Sequence, residues 1–218
     1  MSAIGQASDG TAPTVFVVDD DDNVRRALAN LLGALGIHVE TFVSAHEFMT
    51  RQHPNGPSCL ILEMQLAGEH GLRVQHALQT AAWCPPLIFL TGYGTIPLCA
   101  QAMKAGAVDF LLKPVADEAL LAAVATALEQ DTRTRDSQRS HAELHKRIAT
   151  LTPRERKVMS LLLTGARNKD IAAALGTSEK TIKAHRAHIM DPRAHSNRNL
   201  RFRPSENSWR LRELDFDF

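Results

Sequence analysis

The chain has 218 residues, with Lys+Arg 25 against Asp+Glu 24, 44% hydrophobic and 22% charged residues, and three cysteines. That length suits one or two domains with real cores, and the composition excludes wholesale disorder, collagen and a coiled-coil rod. No apolar run approaches a membrane span, MSAIGQASDG lacks the regions of a signal peptide, and Cys59, Cys84 and Cys99 form no CxxC pair, so a cytoplasmic chain with reduced thiols is expected.

The near-neutral total conceals a division. Residues 14–128 hold 11 acids and 6 bases, whereas residues 133–190 hold 5 acids and 13 bases. An acidic half followed by a basic half suggests two modules, the second facing a polyanion, although charges on helix faces also serve simple solvation.

In chain order, Thr14–Val18 is a short apolar, β-branched run ending in four aspartates. Val24, Leu28, Leu31, Leu32 and Leu35 follow at helical spacing, closed by Gly36. Val39–Val43 reads as a weak strand and Ala45–Arg51 as a short helix; Cys59–Leu62, Leu87–Leu90 and Val108–Leu112 read as further strands. Helical patterns at Gly71–Thr80, Ile96–Ala105 and Asp117–Leu128 separate them. Short apolar strands alternating with helices imply an α/β domain: a flavodoxin-like, doubly wound, five-stranded parallel sheet over 13–128, with its site at the carboxyl strand ends.

Those strand ends carry Asp19-Asp20, Glu63, Thr91 and Lys113. Converging carboxylates repel unless a cation neutralises them, so Mg²⁺ held by Asp19, Asp20 and Glu63 is expected. Thr91 and Lys113 suit an anion beside that metal. Asp21 and Asp22 are read instead as caps of the first helix. A flavoprotein would need small hydroxyl and glycine residues after strand one to cradle phosphate; four aspartates there argue against it.

VFVVDDDDNVRRAL and LTGYGTIPLCAQAMKAGAVDFLLKPV, with the strand-three segment between them, resemble the receiver domain of bacterial response regulators. The resemblance implies Mg²⁺ on Asp19 and Asp20, a phosphoacceptor at position 63 served by a partner histidine kinase, and Thr91 and Lys113 contacting the phosphoryl group. It also implies Phe110 as an aromatic switch residue and a cis bond at Lys113–Pro114. Strand three departs from that pattern: Glu63 stands where the family expects Asp, and Ala67 where it expects Pro. One extra methylene displaces the carboxylate, and about 1 Å of misplacement can cost on the order of 100-fold in rate. Conventional phosphorylation is therefore not expected. Glu63 either imitates the phosphorylated state, with about one charge against roughly two, or leaves the receiver silent.

Residues 129–149 read as a solvated helical linker, since 129–143 contain no large aliphatic or aromatic residue. Thr152-Pro153-Arg154-Glu155 is a capping box opening a helix that ends at Gly165. Asn168–Leu175 forms a second helix, and Ser178 caps a third, SEKTIKAHRAHIM. Ile171, Leu175 and Ile182 can bury between the last two, which gives an all-α helix-turn-helix domain over 150–190. His185 and His188 lie three apart, yet no third metal ligand is evident, and solvent or phosphate is their expected neighbour.

TPRERKVMSLLLTGARNKDIAAALGTSEKTIKAHRAHIM resembles the DNA-binding domain of LuxR-type (NarL/FixJ) regulators. That resemblance turns Lys183, Ala184 and Ala187 toward base edges of double-stranded DNA, with Thr181, His185 and Arg186 nearby and Lys169 and Lys180 at phosphates. The tail, 191–218, departs from the family: Asp191-Pro192 interrupts the third helix, and no leucine-rich fourth helix follows. The expected function is a non-enzymatic transcription regulator, with two copies pairing through the receiver. The alternative is an adaptor or decoy that pairs with regulators or kinases and binds DNA weakly for want of the fourth helix.

Overall fold

The computed structural model describes residues 12–52, 54–81 and 83–190; the expectations for the tail 191–218 lie outside them. The chain divides into two compact units between Arg139 and Ser140.

In the first unit, β1 (Thr14–Val18), β2 (His38–Phe42), β3 (Ser58–Leu62), β6 (Leu87–Thr91) and β7 (Asp109–Leu112) form a parallel sheet in the order β2-β1-β3-β6-β7. A two-residue antiparallel pair, β4 (Gln65–Leu66) and β5 (Glu69–His70), stands apart from it. The helices are α1 (Asp22–Ala34), α2 (Ala45–Met49), α3 (Gly71–Gln79), α4 (Ile96–Lys104) and α5 (Asp117–Thr150). Alternation along the strands sorts the core onto two faces. Phe16, Val18, Leu60, Leu62 and Phe89 pack on one face with Phe48, Val74 and Leu78. Val15, Val17, Cys59, Ile61 and Ile88 pack on the other with Leu28, Leu32, Leu120 and Val124. Both faces are thus covered, as the continuous apolar strands require.

Asp21 caps α1, its carboxylate accepting from the Asn23 amide at 2.8 Å. The linker is helical, as its composition suggested, but it is not solvated throughout. α5 runs unbroken for 34 residues, and Asp131, within the supposed solvated stretch, is buried. Its Oδ2 accepts from the Ser58 amide (2.7 Å), the Ser58 hydroxyl (3.3 Å) and Arg135 Nε (2.6 Å). Arg135 also donates to the carbonyls of Pro54 (3.2 Å) and Asn55 (3.4 Å). A residue without an apolar side chain buries here because Arg135 pairs its charge and Ser58 donates to the same oxygen.

The second unit contains α6 (Pro153–Leu163), α7 (Asn168–Ala174) and α8 (Glu179–Met190). The Thr152–Glu155 capping box is formed in both directions. Val158, Ile171, Ala172 and Ile182 make the core, flanked by Leu161, Leu162, Leu175 and Ile189. Gly165 and Gly176 take φ of 80° and 60°, the left-handed conformation that lets α6 and α7 stop and turn.

Candidate functional site

Parallel register sets the carboxyl ends of the strands along one edge: Val18 pairs with Leu62, Leu62 with Phe89, and Thr91 with Leu112. The residues that follow, Asp19, Glu63 and Lys113, therefore meet. Asp19 and Glu63 are buried, and Lys113 Nζ lies between them, donating to Asp19 Oδ2 at 2.6 Å and to Glu63 Oε2 at 2.7 Å. Burial works to lower the Lys113 pKa, but the hydrogen bonds and charges of Asp19 and Glu63 outweigh it, and the pKa is raised. The second oxygen of Glu63, Oε1, accepts from the amides of Met64 (2.7 Å) and Gln65 (3.1 Å). Asp19 Oδ1 accepts from the Asp21 amide at 2.9 Å. Lys113–Pro114 is cis.

Thr91 and Phe110 stand beside this group without joining it. The Thr91 hydroxyl, fully buried, accepts from the Tyr93 amide at 3.1 Å. Glu63 thus engages Lys113 and the loop amides, while the Thr91 hydroxyl is turned to Tyr93. Phe110 is half-buried, its ring 5.9 Å from that of Phe89.

The expected trio of metal carboxylates is not assembled. Asp20 is exposed, while Glu63 turns back onto its own loop amides and onto Lys113. Among the described residues no three His, Cys, Asp or Glu side chains are grouped as a metal site requires. The single ammonium of Lys113 offsets one of the two buried negative charges, and with Asp20 exposed and Glu63 turned onto its own loop the arrangement does not fit Mg²⁺ on all three carboxylates.

In the second unit, Lys180, Lys183, Ala184 and Ala187 share one face of α8 by their spacing and are exposed. Ile182 and Ile189 face the core. Lys169, Thr181 and Arg186 are also exposed, and His185 is half-buried. Arg186 Nη1 reaches Asn168 Oδ1 at 3.5 Å, and the Ser178 hydroxyl accepts from the Thr181 amide at 3.2 Å, capping the helix. His188 is not simply solvated: its Nδ1 lies 2.5 Å from Glu155 Oε1. Bonds from the backbone and hydroxyl of Thr152, then from His188, hold the Glu155 carboxyl down at a pKa of about 2. The capping box was legible in the sequence, but its link to His188 was not, since 33 residues separate the partners. The same holds for Asp131, 73 residues from Ser58.

A βα sheet with an acid–lysine cluster at its carboxyl edge, followed by a basic helix-turn-helix, defines a response regulator. The family models agree: a response regulator receiver domain matches residues 15–125, and bacterial regulatory proteins of the luxR family match residues 149–192. Nodulation protein W of Bradyrhizobium diazoefficiens is 45% identical over 186 residues, covering 85% of this chain and 82% of that protein. The transcriptional regulatory protein FixJ of Azorhizobium caulinodans is 39% identical over 176 residues, covering 81% and 83%. Among solved structures, the response regulator StyR matches with a TM-score of 0.73 at 41% identity, covering 83% of this chain and 91% of that one. Full-length FixJ from B. japonicum matches with a TM-score of 0.50 at 33% identity, covering 83% and 89%. The chain belongs to the NarL/FixJ family of response regulators, DNA-binding transcription regulators with a LuxR-type helix-turn-helix. Among the described residues, no helix is long and apolar enough to cross a membrane.

Proposed function

We propose that this chain is a cytoplasmic transcription regulator whose receiver is not conventionally phosphorylated, Glu63 standing in part for a phosphorylated acceptor. The observation that carries the reading is the double engagement of the Glu63 carboxylate, Oε1 on the amides of Met64 and Gln65 and Oε2 on Lys113. Both oxygens are buried and bonded, which disfavours attack on a phosphodonor. The imitation is partial, because the carboxylate brings about one charge where a phosphoryl group brings roughly two, and because Thr91 remains bonded to Tyr93. Receiver domains generally bind Mg²⁺ at this position; here it binds weakly, with Asp19 and Asp20 as its remaining carboxylates. A histidine kinase docks on the receiver without transferring a phosphoryl group. Two copies pair through the receiver, supported by exposed apolar residues on and beside α4 and β7: Tyr93 (70% exposed), Ile96 (88%) and Leu112 (53%).

In the second unit, Lys183, Ala184 and Ala187 face base edges, with Thr181, His185 and Arg186 beside them. Lys169 and Lys180 meet phosphates, giving affinity and salt dependence but no sequence preference.

The test is incubation with acetyl phosphate and Mg²⁺, followed by intact-mass measurement. The native chain gains no phosphate, whereas Glu63→Asp does and binds Mg²⁺ more tightly. Stoichiometric phosphorylation of the native chain would defeat the proposal. Glu63→Ala, which removes the imitating charge, weakens self-association in sedimentation; an unchanged dimer would leave Glu63 silent.

A further inference from the structure

Glu155 joins two parts of the helix-turn-helix through one carboxylate. Its Oε2 accepts from the Thr152 amide (2.9 Å) and hydroxyl (2.8 Å) at the start of α6, while its Oε1 meets His188 Nδ1 on α8. Glu155 is buried, and its pKa near 2 leaves it ionised and able only to accept. Nδ1 of His188 must therefore carry the proton and donate.

The place of this bond on α8 gives it a consequence. His188 follows Ala187 directly and lies one turn beyond Ala184, on the segment whose outer face carries Lys183, Ala184 and Ala187. The other anchors of that helix among the described residues are the apolar Ile182 and Ile189 and a long, exposed 3.5 Å contact from Arg186 Nη1 to Asn168 Oδ1. Apolar contacts are non-directional and tolerate small rolls of a helix about its axis, whereas a hydrogen bond fixes direction. We propose that His188 is a positioning residue for sequence-specific DNA binding. Through Glu155 it locks the rotation of α8 and so the angle at which Lys183, Ala184 and Ala187 meet base edges. The inference rests on the DNA-binding reading of α8 given above.

The test uses the full chain and a duplex that the wild type selects from a random-sequence pool, beside a shuffled duplex of equal composition. Binding to both is measured by fluorescence anisotropy for wild type, His188→Leu and His188→Asn. Leucine keeps bulk but donates nothing, whereas the Asn amide nitrogen stands about where Nδ1 does. His188→Leu is expected to lower the preference for the selected duplex by about tenfold, the scale of one hydrogen bond to a charged group. Affinity for the shuffled duplex, set by phosphate contacts, stays unchanged, and His188→Asn restores the preference. An unchanged preference in His188→Leu overturns the proposal. So does an equal loss on both duplexes, a loss of helical circular dichroism, or failure of Asn to rescue. A wild type that selects no duplex would instead defeat the DNA-binding reading itself, which distinguishes the two failures.

Discussion

Lys113 holds the receiver site together with one ammonium between two buried carboxylates. Removing it leaves Asp19 and Glu63 facing each other without compensation, and breaking such a pair costs about 3 kcal/mol. Lys113→Met should therefore lower the midpoint of denaturant unfolding, and the double change Lys113→Met/Glu63→Gln should recover much of the loss; additive effects would refute the coupling. Glu155 gives a second residue-scale expectation, this one in pH. Its carboxyl has an ordinary value of 4.5 and is held at about 2 in the folded unit. A depressed acid stabilises the fold fully above its unfolded pKa and loses that contribution as pH falls through the folded one. Stability of the helix-turn-helix should thus decline between about pH 4.5 and about pH 2. Thermal unfolding across that interval tests it, with Glu155→Gln losing the slope. The identity of these residues was legible in the sequence, because chemistry at strand ends and caps is local. Their distant partners were not. Nothing in a linear string says that Glu63 folds back on its own loop or that His188 finds Glu155.

At the scale of elements, the five strands and the helices between them were readable from apolar runs and 3.6-residue spacing, with boundaries displaced by a residue or so. The β4–β5 pair was missed, as two-residue strands carry no period to detect. The helical continuation of α5 past Leu128 was readable, but its anchoring was not: 129–143 lack an apolar stripe, and the polar pairing of Asp131 is something hydropathy does not see. The start of α3 explains one glycine that the sequence alone did not. A Cβ at Gly71 would lie 2.8 Å from Phe89 Cε1 and 3.0 Å from both the Glu63 carbonyl oxygen and Met64 Cα. Two of those atoms are backbone of the loop that cradles the Glu63 carboxylate, so they cannot give way cheaply. Gly71→Ala should cost about 1–3 kcal/mol by overpacking. Amide hydrogen exchange should show faster opening at Met64 and Gln65; unchanged protection there would count against a close-packed turn.

Across the whole molecule, the charge division marked two modules, an acidic receiver domain and a basic LuxR-type domain. The protein's own Lys113 ion-pairs with both buried acids of the receiver, Asp19 and Glu63, a contact that composition could not reveal. The family-wide receiver pattern ends at residue 125, yet the compact unit reaches Arg139. Inheritance and folding therefore draw different frontiers through α5, and the interval between them holds Asp131 and Arg135. Cutting the chain after Leu128 would strip the Ser58 amide of its acceptor and the carbonyls of Pro54 and Asn55 of their donor. A fragment of residues 12–128 should be less stable than one of residues 12–139 by about 2–4 kcal/mol, measured by urea unfolding. The ion-paired turn at 131–135 is then a hem sewn outside the repeating pattern. It keeps the amino end of β3 closed while the carboxyl end of that strand, five residues away, carries Glu63 to the site.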